Sequence, residues 1–148
     1  MAQEQLAFPF QGGKNIMTGF FKENLVVSPE IIQKKATGLV LFKFTADEKG
    51  RITKMIVYYA DDTILAGPVI DALKKSDHKW IIPDHEKYHD FIIPFSFRLN
   101  VIKPDSLNIE KPFFDAYHTR QPVLTDNQVP LGVTTLLPAV LINYNVTQ

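Results

Sequence analysis

The chain has 148 residues, 45% hydrophobic and 22% charged, with sixteen basic and sixteen acidic side chains cancelling to zero and no cysteine. That length and balance fit one globular domain, with or without an appendage, able to bury roughly 70% of its unfolded surface. The composition excludes disulfides and thiolate metal sites, and the lack of clustered Lys and Arg argues against a nucleic-acid partner.

The first element expected is a helix opening at Lys14 or Asn15, with Met17, Phe20, Phe21 and Leu25 along one face. Gly12-Gly13 precede it and Ser28-Pro29 are expected to stop it. Gly19 inside it costs about 1 kcal/mol relative to Ala, so this helix must depend on packing. Residues 38–46 read as a strand with Val40, Phe42, Phe44 and Ala46 on one face. Asp47 to Gly50 is a tight reversal, and Ile52 to Tyr59 returns as the second strand of a hairpin. A second helix is expected between Asp62 and Ser76 on Leu65, Val69, Ile70 and Leu73, with Pro68 in its first turn. Trp80 and Pro83 mark its exit.

The third strand is expected from about Tyr88 to Leu99, where Phe91, Ile93, Phe95, Phe97 and Leu99 alternate against Ile92, Pro94, Ser96 and Arg98. Proline cannot donate to a ladder, so Pro94 belongs on an edge strand with its missing N–H turned outward. The crossover through the second helix places the third strand beside the first, in spatial order 2-1-3. Both helices then cover the face of Phe42, Phe44, Phe95 and Phe97. Leu39, Leu41, Tyr58 and Ile92 lie on the opposite face, too apolar to stand bare with comfort. The fold class is therefore α+β: a three-stranded antiparallel sheet with two helices on one face.

Residues 8–99 read as that domain and 100–148 as a Pro-rich extension holding five of the ten prolines. No charged residue occurs from Leu131 to Gln148, and Val133 to Val146 is expected to be extended chain interrupted by Pro138. It is expected to pack on the open sheet face of its own domain, or to be exchanged between subunits.

His85 and His89 are four apart, with His78 nearby, but Pro83 and the alternation after Tyr88 place them in loop and strand, so no metal site is expected. Asp61-Asp62, just before a helix, fit capping better than acid–base work. Gly12-Gly13 lack phosphate-loop spacing, so no cofactor is implied, and Trp80 reads as a plug at the helix exit. No enzyme activity is expected. No stretch is long and apolar enough to cross a bilayer, which takes about 20 residues. Met-Ala-Gln-Glu-Gln has neither the basic start nor the apolar core of a signal peptide, which leaves a cytoplasmic protein or a mature exported chain starting near Ala2.

FQGGKNIMTGFFKENL, SPE, ATGLVLFKFTADEKGRI, ILAGPVIDALKK, KWIIP and FIIPFSF, in this order over residues 8–98, resemble the C-terminal domain family of TonB, the energy-transducing protein of Gram-negative envelopes. Gln11 and Ser28 depart from that pattern, where the family has proline and tyrosine. The family's membrane anchor and Pro-rich spacer have no counterpart among these residues, so the resemblance implies the receptor-contacting fold alone. It implies a periplasmic, non-enzymatic module that binds an extended peptide of an outer-membrane transporter by β-augmentation along the last strand. The matching surface is Asp90, Phe91, Ile92, Ile93, Pro94, Phe95, Ser96 and Arg98. Pro94 would interrupt such pairing, and equally blocks edge-to-edge aggregation. A homodimer that consumes the sheet edges is the alternative.

Overall fold

The computed structural model describes residues 8–100, 123–124 and 134–146. Its elements, in chain order, are α1 (Lys14–Asn24), α2 (Pro29–Lys34), β1 (Gly38–Asp47), β2 (Ile52–Ala60), a 3-10 turn (Thr63–Leu65), α3 (Ala66–Lys75), β3 (Tyr88–Asn100), β4 (Val123–Leu124), β5 (Thr134–Leu136) and β6 (Val140–Asn145). The fold is α+β, as expected, and β2, β1 and β3 pair antiparallel in the order 2-1-3. The expectation of three strands and two helices is too small. Among the described residues the sheet is mixed with six strands, and there are three α-helices.

The added helix is α2. Ser28 and Pro29 were expected only to stop α1, but Ser28 Oγ accepts from the Ile31 N–H at 3.2 Å, and Pro29 takes the first helical position. That is the usual start of a helix, because proline's absent N–H is one of the donors left unmet there. Its Ile31 side chain is buried in the same core cluster as Met17 and Phe21 of α1.

The β1–β2 hairpin turns at Asp47 to Gly50. The Asp47 carboxylate accepts from the main-chain N–H groups of Lys49 and Arg51, both at 2.9 Å, and from Arg51 Nε at 3.0 Å. Gly50 sits at φ 79°, and a Cβ there would lie 2.5 Å from the Trp80 carbonyl oxygen. Only glycine meets both demands. Hydrogen bonds from the Arg51 N–H, its side chain and the Lys49 N–H outweigh burial and hold the Asp47 carboxyl below the ordinary aspartate range. A lowered folded value stabilises the protein above the unfolded value, and that contribution is lost as pH falls through the folded one. Asp47→Asn is therefore expected to lower the thermal midpoint at neutral pH, with the deficit shrinking below about pH 4, as melts across pH 2–7 would show.

The core lies between one sheet face and the helices. Phe42, Phe44, Phe91, Ile93, Phe95 and Phe97 from the sheet meet Met17 and Phe21 of α1 and Val69 and Leu73 of α3. Phe21 packs edge-on to Phe95 at 5.2 Å between ring centroids. Trp80 is 2% exposed and closes the helix exit, 4.6 Å from the Phe44 ring and 5.0 Å from Phe10. No described helix is long and apolar enough to cross a membrane.

Candidate functional site

The eight candidate residues lie on one continuous strand, β3, with Phe91, Ile93 and Phe95 in the core, Ile92 buried on the other face and Arg98 exposed. One edge of β3 pairs with β1 over ten residues. Its other edge was expected to stand open, and the structure corrects that. Asp90–Ile92 pair in parallel with β5, and Phe95–Asn100 pair in parallel with β6. The extension thus continues the sheet in its plane rather than lying on the open face.

Pro94 shapes this pairing. The Ile92 carbonyl accepts from the Leu137 N–H at 2.8 Å, so even-numbered β3 residues turn their main-chain groups outward, and the missing N–H of Pro94 faces that edge. The ladder breaks there. Ile93 and Pro94 lie between the two paired stretches, opposite Leu137, Pro138 and Ala139, so the tail carries one residue more than β3 across the gap. Two prolines, each unable to donate, fall within this single interruption.

Past the break the tail is bound through alternate side chains. Val140, Ile142 and Tyr144 are buried in the core, whereas Leu141, Asn143 and Asn145 are exposed. The Tyr144 hydroxyl donates to the Ala36 carbonyl at 2.6 Å, and burial pushes its pKa up to about 12. His89 adds a clasp at the other end. Its Nδ1 lies 2.9 Å from the Glu86 carboxylate and its Nε2 2.7 Å from Thr135 Oγ1. With the proton on Nδ1 the ring donates to Glu86 and its Nε2 accepts from the Thr135 hydroxyl. His89, on strand as the sequence suggests, is thus held at both ring nitrogens with its side chain only 10% exposed. The helical alignment of His85 with His89 does not exist, since His85 has φ 74° outside any helix and His89 is on β3.

The opposite edge of the sheet is shielded differently. β4 pairs only with Tyr59 and Ala60 of β2. The β1 register skips Tyr58 and Thr53, so β2 carries two bulges, which twist an edge away from further pairing. Leu41 consequently pairs with Tyr59, where Tyr58 was expected on the open face. The Tyr59 hydroxyl donates to Asp61, which also accepts from the Leu39 N–H at 2.7 Å. Asp62 caps the 3-10 turn through the Ile64 N–H at 3.2 Å and meets Lys34 at 2.7 Å. These two carboxylates close loops, as their position before a helix suggests.

Among the described residues, one buried polar side-chain atom on the face away from the helices is unsatisfied: Lys43 is 5% exposed, pairs in register with Ile56 and Ile92, and its Nζ has no hydrogen-bond partner there. The nearby Asp90 carboxylate is taken by Thr45 Oγ1 at 2.5 Å. Nothing in the sequence signals this, because a lysine alternating with Leu41 and Thr45 reads as solvated. An unpaired buried donor costs about 1–3 kcal/mol, and more when charged. Lys43→Met is therefore expected to raise unfolding stability by about 1–3 kcal/mol in urea titrations.

No protein-family model, no curated protein and no solved structure matches this chain.

Proposed function

We propose that this chain is a non-enzymatic protein-binding module of the periplasm, related to TonB-dependent outer-membrane transport, which takes extended polypeptide along the outer edge of β3. The carrying observation is the use of that edge: β3 accepts β5 and β6 as added strands, interrupted at Pro94. Main-chain hydrogen bonds supply affinity in such pairing, and alternate side chains supply selectivity. The resident strand supports a preference for apolar side chains at alternate positions, those where Val140, Ile142 and Tyr144 now sit, the last carrying a hydroxyl for Ala36.

A transporter peptide must displace that resident, which competes as an intramolecular partner from the same chain. Exchange is thus the mode of binding. Titrating isotope-labelled full-length chain with transporter peptides tests it. The expected result is coupled shifts at Ser96, Arg98, Ile142 and Tyr144. Shifts confined to residues away from β3 and β6 would refute it.

A second reading is a self-associating module whose sheet edges serve contacts between copies. The absence of charge from Leu131 to Gln148 favours it, because that stretch supplies both added strands.

A further inference from the structure

By covering β3, the tail creates a new rim. β6 is the outer strand along Phe95–Asn100, and among the described residues it pairs with β3 alone. In a parallel ladder the partner residues Ser96 and Leu141 bond through the neighbours of Leu141, so Val140, Ile142 and Tyr144 aim their main-chain groups at β3. Leu141, Asn143 and Asn145 aim theirs away from it. These same three residues have exposed side chains, with Leu141 at 37%.

Natural sheets guard such a rim with lysine, proline, inward charge or bulges. The β2 rim follows that rule, carrying two bulges and the exposed Lys54. The β6 rim does not. Val-Leu-Ile-Asn-Tyr-Asn has no charge and no proline, and the Phe95–Asn100 ladder behind it runs without a register shift. We propose that the outer edge of β6 is an interaction surface for a second copy of this chain, joined antiparallel to its own β6 about a two-fold axis near Asn143. The proposal rests on the self-association reading above and names its surface. A two-fold axis suits this edge because identical uncharged rims meet without like-charge repulsion, and Asn143 faces its own equivalent. Leu141 then lies across from Asn145 of the second copy. About six main-chain hydrogen bonds form, and the two sheets become one. A six-residue strand pair buries less than the roughly 1,200 Å² of a stable interface, so the dimer is weak and concentration-dependent.

Light scattering and amide exchange on the full-length chain, from roughly 10 µM to 1 mM, test this. The expected result is a mass rising toward twice the monomer, with exchange slowing at Leu141, Asn143 and Asn145 as concentration increases. Asn143→Lys is expected to return the protein to monomer while the inward amides of Ile142 and Tyr144 stay protected. If that variant loses the docked tail, Asn145→Lys replaces it with the same expected outcome. A dimer that survives a lysine on this rim overturns the β6 surface and leaves self-association standing elsewhere. A chain that stays monomeric throughout overturns both.

Discussion

Ile142→Asp is expected to cost about 4 kcal/mol or more of unfolding stability, whereas Asn143→Asp, one residue later, changes it by less than about 0.5 kcal/mol. Ile142 lies in the core beside Phe97, its register partner on β3, and a carboxylate there has neither water nor a cation. Asn143 faces solvent in the same strand. The contrast isolates the alternation that fixes β6, because a one-residue slip would exchange the two phenotypes. Urea titration gives both numbers. Amide exchange shows whether Ile142→Asp frees only β6 or unfolds β3 as well. Equal effects at the two positions would mean that the tail is not seated in this register.

Trp80→Ala is expected to lose about 3–5 kcal/mol, the usual range for emptying a large aromatic site that cannot collapse. This indole joins three parts of the chain. Its ring meets Phe10, Phe44 and Phe91 at 4.6–5.8 Å, and its N–H donates to Ser76 Oγ at 2.9 Å, which in turn donates to the Leu73 carbonyl at the end of α3. Trp80→Phe keeps much of the packing and drops the donor, so about 1–2 kcal/mol is expected. Two-state urea melts monitored by far-ultraviolet dichroism separate the variants. A loss below 1 kcal/mol for Trp80→Ala would mean that the loop is not packed on Phe44.

Much of the central fold was legible because its signals are local. Alternation over Val40–Ala46 and Phe91–Leu99 gave both inner strands, and Asp47 to Gly50 gave their neighbour's turn. Pro68 was rightly held to the first turn of α3, and Pro94 rightly turned outward. What stayed hidden depends on distant contacts. Ser28-Pro29-Glu30 is itself a helix-start signal, but a six-residue helix has little periodicity to add. Val140, Ile142 and Tyr144 alternate as a half-buried strand should, yet alternation cannot say whether a strand lies on a face or joins an edge. Joining the edge satisfies the outward main-chain groups of β3, which packing on the face would leave to water. The two bulges of β2 and the unpartnered Lys43 arise from register, which sequence spacing does not carry.

β3 holds the tail of its own chain, in parallel, with Ser96 opposite Leu141. Because the chain has no cysteine, replacing these two residues gives a molecule whose only thiols sit about 5 Å apart between Cα atoms, within disulfide reach. Mild oxidation of Ser96→Cys/Leu141→Cys at low micromolar concentration should give a monomer-sized, internally bridged product in high yield. The offset pair Ser96→Cys/Asn145→Cys should bridge poorly. Failure of the first pair to close, equal closure of both, or closure only between two chains would contradict the account.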